Sequence, residues 1–215
     1  LSRTEEAIQH FRKAEEHSEE IPVAYTKTVI THIWVLSNNN RLEEVVRLYD
    51  RARLIIPHSA LLHRAMGEIF EDFGLDDEAT ACYALELELY KSLIAAKPDN
   101  LDYNLRTAEL HNRFGNSQKA LDILDSIDKR MMSNAHICRL YGDILKNLSR
   151  MEEAISYYRL AVRHSHNRDA QCLYKLAEIL KFTGHHNEAI DNALKSQDLA
   201  PEFPGNYDIL ADVMF

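Results

Sequence analysis

Small and bulky apolar residues recur along the chain with the three- and four-residue spacing of an amphipathic helix. In residues 150–161, Ala154 is followed by Tyr158 four places later and by Ala161 three places after that. Residues 3–14 (RTEEAIQHFRKA) repeat this order of small, aromatic and small side chains. Since both segments also begin with a basic residue and a pair of glutamates, we predict two equivalent helices.

The same frame returns at a nearly constant interval. Its leading small residues are Ala7, Val45, Ala79, Ala120, Ala154 and Ala189, with spacings of 38, 34, 41, 34 and 35 residues. A second pattern precedes most of them: a small residue followed three places later by a larger one, at Gly67, Ala108, Gly142 and Ala177. A turn residue then follows, at Asn40, Gly74, Gly115, Ser149 and Gly184. The alternation predicts helical hairpins that bury their apolar faces by stacking on one another.

These motifs resemble the tetratricopeptide repeat family, whose unit is a helix, a short turn and a second helix. The resemblance implies an all-α fold, a right-handed superhelical solenoid of about twelve helices. We expect a single array over residues 1–215 that is a fragment of a longer protein. Its predicted hairpins are residues 26–59, 60–100, 101–134, 135–169 and 170–203, with partial units at residues 1–25 and 204–215.

One predicted hairpin, residues 60–100, is seven residues longer than the family unit. The extra length lies in residues 85–93, where Leu85, Leu89 and Leu93 keep helical spacing. Two interpretations stay open for the long second helix at residues 76–97. It is a core helix capped by local packing, or it projects and contacts a partner or a second copy of the chain.

Composition narrows the range of functions. A formal net charge of -9 disfavours nucleic acid as a partner, because phosphate binding needs a basic surface. The chain has no apolar run of the roughly 20 residues that a membrane-spanning helix needs, so we predict no membrane insertion. The three cysteines are far apart and odd in number, which is typical of reduced thiols and predicts a cytoplasmic location. The eleven histidines and three cysteines form no spacing typical of a metal site, and no nucleophile has an evident base. We therefore expect no cofactor and no catalysis within these residues.

In the resembled family, ligands lie along the concave surface that the first helices of the hairpins form. Two rows of charged residues flank the small position there. The acidic row is Glu68, Glu109, Asp143 and Glu178, and the basic row is Arg64, Arg106, Arg139 and Lys175. One interpretation is ordinary ion pairs within each helix, since the partners are three or four residues apart. The other is a polar groove that binds a peptide of mixed charge, with Asn112 and Tyr174 contributing beside the rows.

A branch of the family binds the C-terminal carboxylate of chaperones through lysine and asparagine side chains. Acidic residues stand here where that set needs its first asparagine, so we do not expect this ligand. The predicted function is a non-catalytic scaffold or adaptor that binds a peptide or protein segment in the groove. The alternative is a targeting or oligomerisation segment of a larger enzyme, such as a glycosyltransferase, with its catalytic domain outside these residues. Self-association through the array ends or the long helix is a further expectation.

Overall fold

The computed structural model describes residues 3–18, 22–127 and 133–214, and within these ranges it contains twelve α-helices and no strand. The helices are α1 (Arg3–Ser18), α2 (Pro22–Ser37), α3 (Leu42–Ile55), α4 (Ala60–Asp72), α5 (Asp76–Ala96), α6 (Leu101–Arg113), α7 (Ser117–Asp125), α8 (Ala135–Asn147), α9 (Met151–His164), α10 (Ala170–Phe182), α11 (His186–Leu199) and α12 (Pro204–Met214). The predicted all-α repeat architecture is confirmed.

The turns inside the hairpins have one common geometry. All five predicted turn residues have positive φ, between 56° and 81°: Asn40, Gly74, Gly115, Ser149 and Gly184. The residue after the turn donates its N–H back to the preceding helix, as Leu75 does to the carbonyl of Phe70 at 2.8 Å. This is the bond that closes a helix C-terminus around a left-handed residue, so each turn residue ends one helix and admits the next.

The first helices of four hairpins begin at capping side chains. Ser59, Asn100, Asn134 and Asp169 precede α4, α6, α8 and α10, and each side-chain oxygen accepts a backbone N–H from the first turn. Such a cap stabilises a helix by about 1 kcal/mol. The second helices α3, α5, α7, α9 and α11 have no side-chain cap at their start. They follow the left-handed turns directly.

The chain divides into two compact units, the N-terminal unit (Leu1–Lys97) and the C-terminal unit (Pro98–Phe215). In the N-terminal unit, Tyr25, Val45 and Met66 are fully buried. A polar pair is buried there too: a ring nitrogen of His32 in α2 lies 2.5 Å from the carboxylate of Glu15 in α1. The long helix α5 buries side chains as far as Tyr90, and beyond it the last residues of the helix are exposed or half-buried.

The core of the C-terminal unit is one large apolar cluster with contributions from α6 to α11. Ile144, Tyr158 and Leu173 lie at its centre, all fully buried. A smaller cluster of Ala177, Ala193 and Ile209 joins α10 and α11 to α12. The first helices α6, α8 and α10 thus each use one face for the core, which leaves another face for polar side chains. No helix in the described ranges is long and apolar enough to cross a membrane.

Candidate functional site

At the small position of α8, Gly142 contacts the aromatic ring of Tyr158 in α9. A Cβ atom placed on Gly142 would lie 2.6 Å from a ring carbon of Tyr158, so no larger residue fits without displacing the ring. The ring is fully buried, and its hydroxyl donates to Oδ1 of Asp143 at 2.7 Å. Burial and the neighbouring Asp143 both raise the pKa of Tyr158, so the hydroxyl stays a donor. The second helix therefore fixes a carboxylate of the first.

In the N-terminal unit the equivalent tyrosine bonds to a different carboxylate of the first helix. A Cβ atom on Gly67 would lie 2.6 Å from the ring of Tyr83. The hydroxyl of Tyr83 donates to Glu71 at 2.9 Å, one turn further along α4. This leaves Glu68 to accept from Nε of Arg64 at 2.9 Å, an ion pair within the helix.

A groove with a volume of about 410 Å³ lies on the polar face of the C-terminal unit. Side chains of the three successive first helices α6, α8 and α10 line it. They are Arg106, Glu109, Asn112 and Arg113 from α6, His136, Arg139, Leu140, Asp143, Lys146 and Asn147 from α8, and Lys175 from α10. Every one of these except Leu140 is polar or charged, so the groove is suited to hydrogen bonding.

Glu109 lies between two hydrogen-bond donors in this groove. Its carboxylate accepts from Arg106 at 2.9 Å and from Nε2 of His136 in the next hairpin at 3.1 Å. Burial alone would raise the pKa of Glu109, but these two partners outweigh it and lower the pKa to about 2. The residue is therefore ionised at neutral pH and joins α6 to α8.

Arg139 has a different environment, although it also lies beside an acidic residue. Its guanidinium donates to Nδ1 of His136 at 3.0 Å. Because a guanidinium only donates, Nδ1 must accept, and the proton of a neutral His136 is then on Nε2, where it faces Glu109. The distance from Arg139 to Asp143 is 4.0 Å, too long for a hydrogen bond.

Two lysines share Glu178 at the α8–α10 side of the groove. Lys146 donates to this carboxylate at 2.9 Å, and Lys175 lies 3.6 Å from the same oxygen. Burial would raise the pKa of Glu178, but the two ammonium groups lower it. Asn112 forms the third link, since its Oδ1 accepts from Ser117 at 2.7 Å and from Asn147 at 3.0 Å.

The family model of the tetratricopeptide repeat matches residues 135–163 and 170–203, the hairpins α8–α9 and α10–α11. These two hairpins are tetratricopeptide repeats. A comparison with curated proteins finds no match.

Three solved structures illustrate the same fold. A thermophilic member from Thermus thermophilus superposes with a TM-score of 0.66 at 16% identity, over 88% of this chain and 100% of that one. PilW, a widely conserved type IV pilus biogenesis factor, gives 0.62 at 13% identity, over 88% and 86%. YrrB, a repeat protein with an unusual peptide-binding site, gives 0.51 at 18% identity, over 92% and 96%. At these identities the likeness establishes the fold alone.

Six of the ten predicted site residues line the groove of this repeat protein: Arg106, Glu109, Asn112, Arg139, Asp143 and Lys175. Glu178 is bonded to two lysines that line it. Tyr174 packs instead against Phe203, with ring centroids 4.8 Å apart. Arg64 and Glu68 lie in the N-terminal unit. Pairs from the two rows do form ion pairs within their helices, as the first interpretation expected, and ligand binding by these residues stays a prediction.

Five groove residues were not predicted from the sequence: Arg113, His136, Leu140, Lys146 and Asn147. A signal for some of them exists. Lys146 follows Asp143 by three residues and His136 precedes Arg139 by three, so each lies on the same helix face as a residue that was predicted. Extending the rows by one turn in each direction would have found them. In the described part of the chain, no group of three or more His, Cys, Asp or Glu residues could hold a metal ion.

Proposed function

We propose that this protein is a non-catalytic scaffold whose C-terminal unit binds a peptide segment of a partner protein in the groove. Tetratricopeptide repeat proteins generally act as protein–protein interaction scaffolds. The observation that carries the finer proposal is the groove itself, because side chains from three successive first helices line one cavity of about 410 Å³.

The groove side chains are held in place before any ligand arrives. Glu109 and Glu178 each bond to a helix of a neighbouring hairpin, and Asp143 bonds to the buried Tyr158. A preorganised site loses less side-chain entropy on binding, which favours affinity for a flexible peptide. The unusual peptide-binding site of YrrB, a structure with the same fold, supports the proposal by analogy.

The test is site-directed photo-cross-linking to peptides selected from a random display library. A benzophenone side chain replaces Arg113, an exposed residue that lines the groove. The matched control replaces Ser156, an exposed residue of the second helix α9. Selected peptides are expected to cross-link from position 113 and not from position 156. Cross-linking from position 156 alone would place the binding surface on the second helices and overturn the groove.

The remaining predictions concern a wider context. Four expectations from the sequence stay predictions. They are a role as a targeting or oligomerisation segment of a larger enzyme, the single array, the cytoplasmic location, and self-association through α5 or the array ends. The exposed last turn of α5 is compatible with self-association, but no described contact favours it over the groove.

A further inference from the structure

The lining of the groove carries more positive than negative charge. Five permanent cations contribute to it: Arg106, Arg113, Arg139, Lys146 and Lys175. Its carboxylates are Glu109 and Asp143, and counting Glu178 at its side still leaves two more cations than anions. The whole chain has a formal net charge of -9. A positive groove on an acidic protein is a local feature, because the overall composition predicts the opposite sign.

The carboxylates of the groove already have donors. Glu109 accepts on one oxygen from Arg106 and on the other from His136. Asp143 accepts from Tyr158, and Glu178 is shared by Lys146 and Lys175. Two ammonium groups around one carboxylate leave a positive charge at that place. The acidic row is therefore part of the internal bonding of the unit, and it does not set the sign of charge that a ligand meets.

Arg139 is the groove cation whose charge is least compensated by hydrogen bonds to carboxylates. Its guanidinium donates one hydrogen bond, to Nδ1 of His136, and in the described part of the chain it approaches no carboxylate closer than 4.0 Å. The nearest acidic residue, Asp143, is held by Tyr158 and is one methylene shorter than a glutamate. The side chain of Arg139 is 20% exposed. Partial burial strengthens a charge-assisted hydrogen bond, and a guanidinium matches the geometry of a carboxylate.

From this geometry we infer that the groove binds an acidic peptide segment, and that Arg139 donates the main hydrogen bonds to an Asp or Glu side chain of that segment. This inference rests on the proposed function and names its ligand class. Lys146 and Lys175 attract a second carboxylate from the same segment, since Glu178 compensates only one of their two charges. Charge complementarity thus selects the ligand, while the bonded carboxylates keep the cations in place.

The probe is a fluorescently labelled peptide of alternating Glu and Gly, measured by anisotropy against a Gln-Gly peptide of the same length. The Glu-Gly peptide is expected to bind and the Gln-Gly peptide is not. Arg139→Gln is expected to weaken binding roughly 10-fold, as for loss of a hydrogen bond between charged groups. Arg139→Lys keeps the charge but loses the planar fork of the guanidinium. Its affinity for the Glu-Gly peptide is expected to lie between those of the wild type and Arg139→Gln. The matched control is Arg159→Gln on the second helix α9, an exposed arginine outside the groove lining, which should leave affinity unchanged.

A second variant separates binding from folding. Asp143→Asn keeps an oxygen for the hydroxyl of Tyr158 but removes the negative charge beside Arg139. It is expected to tighten binding of the Glu-Gly peptide a few-fold, on the order of 2–5-fold, whereas a merely structural role of Asp143 in holding Tyr158 would leave binding unchanged or weaken it. Higher ionic strength is expected to weaken binding of the acidic peptide in every variant.

Several results would overturn the inference. Equal binding of the Glu-Gly and Gln-Gly peptides, or unchanged affinity in Arg139→Gln, would remove the role of carboxylate recognition. Tighter binding of a single-stranded oligothymidylate or of a phosphoserine-Gly peptide would assign the groove to phosphate groups. If display-selected peptides cross-link from position 113 but contain no Asp or Glu, the groove stands and the acidic ligand is wrong. If nothing cross-links from position 113, the proposed function itself fails.

Discussion

The hairpins α4–α5 and α8–α9 share the same glycine–tyrosine contact but have different ion pairs on the polar face of the first helix. In both, the tyrosine hydroxyl reaches the polar face of the first helix. Three residues after the acidic row, α4 has Glu71, which accepts from Tyr83, and α8 has Lys146, which cannot accept. Tyr158 therefore bonds to Asp143 itself. As a result Glu68 bonds to Arg64 at 2.9 Å, whereas the equivalent arginine of α8, Arg139, lies 4.0 Å from its acidic neighbour.

Residues sixteen positions apart make up the contact at the small position. Gly67 and Gly142 face Tyr83 and Tyr158, while the pairs at the same positions are Ala108 with Leu124 in α6–α7, Ala177 with Ala193 in α10–α11 and Ile33 with Tyr49 in α2–α3. The hydroxyl of Tyr49 lies 2.8 Å from His63 of the next hairpin, so a tyrosine at this position does not by itself require glycine. The glycine is required at Gly67 and Gly142 because the rings of Tyr83 and Tyr158 lie directly against it.

The largest expected effect comes from filling the glycine position. Gly142→Ala brings a methyl group to 2.6 Å from the ring of Tyr158, which is fully buried and held by Asp143. Overpacking of this kind costs about 2–3 kcal/mol of the free energy of unfolding, even after the better helix propensity of alanine. Urea denaturation followed by circular dichroism measures it. Gly67→Ala is expected to have a similar effect on the N-terminal unit.

A double variant tests the cause. Gly142→Ala with Tyr158→Leu reproduces the pair Ala108 and Leu124, so it is expected to recover a large part of the loss. If the two substitutions add instead of compensating, the ring is not what excludes alanine from this position.

The pH dependence of stability is expected to report the two hydrogen bonds that Glu109 accepts. Because the pKa of Glu109 falls from 4.5 to about 2 on folding, its contribution is complete above pH 4.5 and is lost as the pH falls towards 2. Glu109→Gln is expected to lower the free energy of unfolding by about 1–2 kcal/mol at pH 7. Urea titrations from pH 7 downwards should show the difference from wild type narrowing below pH 4.5. A difference that is constant over this range would contradict the assignment.

Removal of one hydroxyl tests the divergence between the two hairpins. Tyr158→Phe leaves the ring in place but releases Asp143, and the lost hydrogen bond to a charged, partly buried group costs about 1.5 kcal/mol. Tyr83→Phe is expected to cost less, because its acceptor Glu71 is exposed. Thermal and urea unfolding of the two variants measure the difference. Equal losses would show that the identity of the acceptor does not matter.

The repeat period, the small positions and the left-handed turns could be predicted from the sequence because they depend on local spacing. The acidic and basic rows could be predicted for the same reason. The partners of those rows could not. His136 bonds to Glu109 and Lys146 bonds to Glu178 across neighbouring hairpins. The carboxylate that accepts from Tyr158 is set by the position of its buried ring. Sequence spacing within one helix therefore predicted ion pairs, whereas the charge that a ligand meets follows from contacts between helices.

The smallest expected effect is at the ion pair of α4. The side chains of Arg64 and Glu68 are 43% and 36% exposed, so solvent screens their attraction and the pair contributes about 0.3–0.5 kcal/mol. Glu68→Gln is therefore expected to lower the free energy of unfolding by no more than this, and added salt should reduce the loss further. Glu109→Gln, measured in the same buffer, is the matched substitution in a residue bonded across two helices. Equal losses for the two variants would mean that the bond to His136 adds nothing, and the acidic row would then consist of independent helix pairs in both units.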